Sequence, residues 1–257
     1  MMQTGTPSSE PPAWDQRTLR DPHAQTDKAS RVRAMFNAIA PTYERVNRLV
    51  SLCRDAVWRK KAAAAANAKP SDVVLDMCCG TGEMIRAFAA QKPPPKLLIG
   101  ADFARRMLAR GHYDGVQSPI QLVCADGLRL PLADATVDVI SCAFGVRNFQ
   151  DLDAGLRELY RVLRPGGRIV VLEFALPENA LVRWGYRAYC ERVLPRLAAI
   201  ISRDKTGAYR YLPSSIRTFE RRGALARRLE RAGLVNVTAE PLNLGGVVIY
   251  RGEKPGV

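Results

Sequence analysis

The residues best placed to do chemistry are Asp76-Met77-Cys78-Cys79-Gly80-Thr81-Gly82-Glu83, which follow the apolar run Val73-Val74-Leu75. Helical spacing through Met84, Ile85 and Phe88 comes next. Glycines in such a turn let the backbone approach a ligand with no Cβ in the way. The helix start beyond offers unpaired N–H groups to an anion or a polar ligand. Alone, the motif also describes a tight strand-to-helix connection. A dinucleotide fingerprint would place a third glycine where Ile85 stands, and no G-K-[ST] ending marks a phosphate loop, so both readings weaken. Asp102 closes the next apolar run, where a carboxylate can accept hydrogen bonds from both ribose hydroxyls. Asp126-Gly127 closes the third run, where a carboxylate can accept from an exocyclic amine. Each aspartate singly could be a helix cap or turn former. Three of them after three successive runs describe a nucleoside site along one edge of a sheet.

The elements that must position these groups are readable from periodicity. Strands are predicted at 73–75, 96–101, 120–124, 137–143 and 168–174, and helices at 83–88, 104–110 and 154–163. That alternation implies βαβ units and a mostly parallel α/β sheet with helices on both faces. Two final strands, 235–240 and 246–250, are close enough to pair antiparallel, after a helix at 224–232. Residues 28–69 carry three helical stripes, interrupted at Pro41, with the third helix expected over 55–68. Residues 1–27, rich in Pro, Ser, Thr and Gln, are expected to be a flexible tail. The rest, 28–257, reads as one domain: a helical cap (28–69) and a core (70–257) with a helical insertion near 178–218. Within the insertion, 181–203 places Arg183, Arg187, Arg192 and Arg196 against Trp184, Tyr189, Val193, Leu197 and Ile200. This fits an amphipathic helix on a membrane surface or over an apolar site, and equally a core helix with a solvated arginine face.

Composition bounds the partners. The 257 residues are 47% hydrophobic and carry a net charge of +14, from 39 Lys and Arg against 25 Asp and Glu. Such a balance suits an anionic partner, or equally a generic basic surface. No apolar stretch approaches the roughly 18–20 residues of a membrane span. Six cysteines without C-x-x-C spacing, and no secretory pattern, lead to the expectation of reduced thiols in the cytoplasm. Two histidines far from any Cys or carboxylate cluster imply no metal site.

The three-aspartate arrangement resembles class I methyltransferases. Further segments are similar to one subfamily, the UbiE/MenG quinone C-methyltransferases: Tyr43-Glu44-Arg45-Val46-Asn47, Phe144-Gly145-Val146-Arg147-Asn148, Arg161-Val162-Leu163-Arg164-Pro165-Gly166-Gly167, Glu173-Phe174 and Tyr209-Arg210-Tyr211-Leu212-Pro213-Ser214-Ser215-Ile216. The match runs from about Val32 to Lys254. It implies a Rossmann-like fold with a seven-stranded sheet, and S-adenosyl-L-methionine held by Asp76, Gly80, Thr81, Gly82, Asp102, Asp126 and Gly127. It also implies C-methylation of a prenylated quinol, a naphthoquinol or a benzoquinol, at the inner face of an anionic membrane and without nucleic acid. Arg147 and Asn148 would face the methyl group. A guanidinium is a poor base, so Arg147 would orient a water or stabilise a phenolate, or else only brace its loop against a carboxylate. Tyr43, Tyr209 and Tyr211 are candidates for the quinol pocket, or plain core. The sequence departs from the family at Asp55 (usually His), Glu83 (Asp), Arg164 (Lys), Ala175 (Ser) and Asn243 (Thr), and lacks a small polar residue at Ala143. Asp55, Ala175 and Asn243 are expected on the substrate side. Three rivals remain: a small-molecule methyltransferase of specialised metabolism, an RNA methyltransferase, and a cofactor-binding subunit without turnover.

Overall fold

The structure is a computed structural model that describes residues 14–189, 192 and 206–256. Five parallel strands form its centre: β1 (Val73–Met77), β2 (Leu97–Asp102), β3 (Ile120–Cys124), β4 (Val137–Ala143) and β5 (Leu163–Phe174). The order β3-β2-β1-β4-β5-β7-β6 completes seven strands, with β7 (Val247–Glu253) antiparallel to β5 and β6 (Val235–Leu242) antiparallel to β7. The sheet and the antiparallel closing pair are those expected from periodicity. Strand order reverses beside β1, and the crevice at the carboxyl ends of β1, β2 and β4 is where open α/β sheets bind ligands.

Alternation along the strands divides the core in two. Leu75, Met77, Ile140, Val171 and Tyr250 face one side. There they meet α6 (Leu152–Val162) and α9 (Arg222–Arg231) through Leu156, Leu159, Leu225 and Leu229. Val74, Leu98, Val139, Val170 and Ile249 face the other. These pack on α3 (Asp55–Ala65) and α4 (Glu83–Ala89) through Trp58, Ala62, Ile85 and Phe88. The inner strands β1, β2, β4, β5 and β7 thus alternate their faces with period two, both faces apolar, as buried strands require, while the outer β3 and β6 are largely exposed.

The cap is α1 (Lys28–Ile39), α2 (Tyr43–Val50) and α3, with Pro41 between the first two. The third helix stops at Ala65 rather than 68, because Asn67 takes a left-handed conformation (φ 48°) that no helix continues. α5 (Arg105–Leu108) is shorter than expected. In the insertion, α7 (Ala180–Ala188) and α8 (Ala208–Thr218) are formed. The part of the amphipathic stretch holding Val193, Arg196, Leu197 and Ile200 lies outside the described residues, as does the tail before Trp14.

One expectation is corrected. The segment read as flexible through Asp27 is packed from Trp14 onward. Trp14 is buried with its ring 4.5 Å from that of Tyr211, and its backbone N–H donates to the Thr206 carbonyl at 3.0 Å. Two 3-10 turns follow, Thr18–Arg20 and Pro22–Ala24, the second capped by the Asp21 carboxylate. The polar segment becomes a strap because one large aromatic anchors it and its backbone finds partners on α8.

Candidate active site

Asp76 and Ser141 are register partners on β1 and β4, and the Ser141 hydroxyl donates to Asp76 Oδ1 at 2.7 Å. Oδ2 is buried with no partner among the described residues. Burial pushes the Asp76 carboxyl up to about 7, partly offset by the serine bond. Asp102 ends β2 and accepts from the backbone N–H of Gly80 at 2.9 Å and of Ala104 at 2.7 Å. Its own burial raises it to about 6, with those two bonds pulling the other way. Asp102 therefore holds the glycine turn in place as well as presenting a carboxylate. Gly80 (φ 57°) and Gly82 (φ 83°) are both left-handed, and a Cβ on Gly82 would stand 2.4 Å from the Tyr113 ring. Thr81 between them is buried.

Asp126 stands apart from this pair. It is exposed at the end of the edge strand β3, and its Oδ1 accepts from the Leu128 N–H at 3.0 Å in a local turn. Gly127 lies against Phe149, whose ring would be 2.8 Å from an added Cβ.

The loop after β4 carries the second constellation. Phe144 is left-handed (φ 58°), and its carbonyl accepts from Arg147 Nη1 at 2.6 Å and from Asn148 Nδ2 at 3.3 Å. Arg147 Nη1 also donates to Glu173 Oε1 at 2.6 Å, while Arg147 Nε is buried without a partner. Burial is the largest single effect and works against the Arg147 charge, but the Glu173 carboxylate, with smaller contributions from Tyr211 and Tyr43, holds the guanidinium above its ordinary value. Asn148 turns inward: its Oδ1 accepts from the Tyr211 hydroxyl at 2.8 Å. The brace read as one alternative for Arg147 is thus present, and its partner is Glu173.

Beside this loop lies a cavity of about 590 Å³. Phe144 and Phe174 stack at 4.4 Å, with Trp58 edge-on to both, as an aromatic wall. Arg147 lines the cavity, its guanidinium carbon 5.4 Å from the Phe174 ring. Tyr43, Tyr209 and Tyr211 all line it, as do Asp55 and Asn243. Asn148 does not, and it serves instead to hold Tyr211 and the Phe144 carbonyl. Ala175 does not either: it borders a separate small hollow beside Leu244, because its backbone pairs with Gly246 past the end of β5. Phe36, Tyr43 and Phe103 pack together on Ala104 and Met107, next to Asp102, and the Met107 methyl lies 3.3 Å from where a Cβ of Gly80 would be.

Sequence reasoning gave no role to four residues that shape the site. Glu173 is the fully buried partner of Arg147. Arg59 pairs with Glu83 at 2.9 Å, its guanidinium carbon 5.2 Å from the Phe144 ring. Lys28 buries its ammonium on the Phe149 carbonyl at 2.6 Å, and desolvation, then the Arg147 charge, push it down to about 8. Trp14 backs Tyr211. A lone tryptophan in a polar stretch was a signal for the last; Lys28 left none.

Residues 24–254 match the ubiE/COQ5 methyltransferase family. The chain belongs to this family. It is 41% identical over 223 residues to a demethylmenaquinone methyltransferase of Thermus thermophilus, covering 86% of this chain and 100% of that one. It is 37% identical over 233 residues to the ubiquinone/menaquinone biosynthesis C-methyltransferase UbiE of Geobacter sulfurreducens, covering 89% and 90%. Among solved structures, an S-adenosylmethionine-dependent methyltransferase from Aquifex aeolicus superposes with a TM-score of 0.57 at 16% identity, over 82% of this chain and 97% of that one. That likeness shows the fold. As a member of the ubiE/COQ5 family on a class I fold, the chain is an S-adenosylmethionine-dependent methyltransferase.

Proposed function

We propose that the protein C-methylates a prenylated quinol, demethylmenaquinol in the first place, at a membrane surface. The observation that carries this reading is the charged Arg147 guanidinium on the wall of an aromatic-lined cavity of about 590 Å³, beside the carboxyl ends of β4 and β5. The cavity fits an apolar ring, and the cation fits the oxygen on which negative charge develops.

The residues present fit the cofactor. Asp76 Oδ2 is a buried acceptor waiting for a donor, as an α-ammonium provides. The turn Gly80-Thr81-Gly82 admits close approach, and Asp102 receives ribose hydroxyls. Asp126 and Gly127 take the base end. When bound, the cofactor supplies a methyl group on a positive sulfonium. The chain positions the quinol ring against it and excludes water, which in well-oriented systems lowers a barrier by roughly 7–11 kcal/mol. Arg147 stabilises the phenolate that makes the ring carbon nucleophilic, fixed in place by Glu173 rather than moving on demand. Asn148 is a positioning residue that holds Tyr211 on the cavity wall.

A prenylated substrate lies in a bilayer. α7 buries none of its residues, exposing Leu181 and Trp184, while Tyr186 on the same helix lines the cavity. Leu52, also exposed, lines the cavity too. These apolar groups beside the cavity, on a basic protein, suit contact with an anionic membrane.

The decisive experiment is expression in cells lacking their own quinone C-methyltransferase, with mass analysis of the quinone pool. Methylated menaquinone is expected to return. An unchanged demethyl pool, with the protein folded and binding S-adenosylhomocysteine, refutes the reading.

A further inference from the structure

We propose that Asp55 is the general base that removes the quinol hydroxyl proton as the ring carbon takes the methyl group. This rests on the quinol reading above. The loss of that proton has to be accepted by something in the cavity, and Arg147 cannot accept it, being held charged by Glu173. Tyr211 already donates its hydroxyl to Asn148, and burial pushes its phenol up. Glu173 is consumed by Arg147 and the Phe174 N–H and does not line the cavity.

Asp55 is the one carboxylate among the described residues that line it. It is the first residue of α3 and is 4% exposed. The Ser51 hydroxyl, which also lines the cavity, donates to Oδ1 at 2.8 Å and orients the carboxylate. Among the described residues no ion pair takes it up: Arg59, one turn along α3, is engaged with Glu83. A buried carboxylate that faces a cavity, with one oxygen anchored and no cation on the other, has the arrangement of a base rather than of a structural salt bridge.

The step balances. The hydroxyl proton passes to Asp55, and the O–H electron pair becomes a carbon–oxygen double bond as the ring carbon bonds the methyl. The carbon–sulfur pair returns to sulfur, leaving a neutral thioether. The methylated carbon then loses its own hydrogen to solvent as a proton, the ring regains aromaticity, and Asp55 returns its proton to the oxygen. One proton is released overall.

The test uses the full chain with demethylmenaquinol kept reduced by dithionite. Asp55→Asn preserves shape and the bond from Ser51, so it is expected to fold and to bind S-adenosylhomocysteine within twofold of wild type. Its kcat is expected to fall by about 100-fold or more, the scale of general-base catalysis. Asp55→Ala is expected to be as slow, and to recover at least tenfold as formate is added. Asp55→Asn with unchanged kcat, or Asp55→Ala that formate does not rescue, overturns the assignment while wild-type turnover leaves the quinol reading standing. Wild-type protein that binds S-adenosylhomocysteine but methylates no quinol overturns both.

Discussion

Two buried carboxylates, Asp76 and Asp102, sit at the heart of the proposed cofactor site, pushed up to about 7 and about 6. Both are raised above the ordinary 3.8 by desolvation, so their contribution to stability is fullest in acid and fades as pH rises through those values. A ligand that donates hydrogen bonds to the ionised forms reverses part of that cost. Affinity for S-adenosylhomocysteine is therefore expected to strengthen from pH 5 to pH 7, by up to about tenfold for one group titrating near 6. Calorimetric titration across that interval checks it. In Asp102→Asn the affinity is expected to be weaker throughout, with the part of the pH dependence owed to Asp102 gone. An affinity that is flat with pH in wild type contradicts the idea that Asp102 meets the ligand as a carboxylate.

The Trp14 strap does at the level of elements what no single motif does. It ties α8 to the loop after β4: Trp14 on Tyr211, the His23 ring at 2.9 Å from the Ser215 carbonyl, Lys28 on the Phe149 carbonyl. Tyr211 in turn reaches Asn148, so the strap stands behind the wall that carries Arg147. Removing a buried indole of this kind costs about 3–5 kcal/mol. Trp14→Ala is expected to lose that much in denaturant unfolding, and Trp14→Phe to lose less than half as much. A loss below 1 kcal/mol for Trp14→Ala would mean that the ring is not a support. The strap begins before residue 24, where the family match starts.

For the molecule as a whole, charge and apolar exposure act together. On the proposed reading, the sum of +14 would draw the protein toward anionic lipid, and exposed Leu181 and Trp184 would give it something to insert. Binding to phosphatidylglycerol vesicles is expected to weaken severalfold between 50 mM and 500 mM salt, as screening shortens the reach of the charges. Trp14 and Trp58 are buried, so an emission shift on vesicle addition should come from Trp184 and vanish in Trp184→Phe. Binding indifferent to salt, or a shift that survives this substitution, contradicts the docking face.

The strands and the glycine turn were legible in the chain because each depends on neighbours in sequence, and the alternation of strands with helices implied a mostly parallel sheet. Period-two apolar runs specify buried strands, and Gly80 and Gly82 mark a backbone no other residue adopts without strain. The segment Phe144-Gly145-Val146-Arg147-Asn148 stood out differently, by its resemblance to a family and not by any spacing of its own. What folding alone decided is which side chains share a space. Arg147 meets Glu173 across 26 residues, Asn148 meets Tyr211 across 63, and the strap meets α8 across nearly 200. It also separated Asp55 and Asn243, on the cavity, from Ala175, which is not. Such pairings are set by helices crossing over the end of a sheet. No spacing along the chain encodes them, since the distance between partners is measured through the core and not along the backbone.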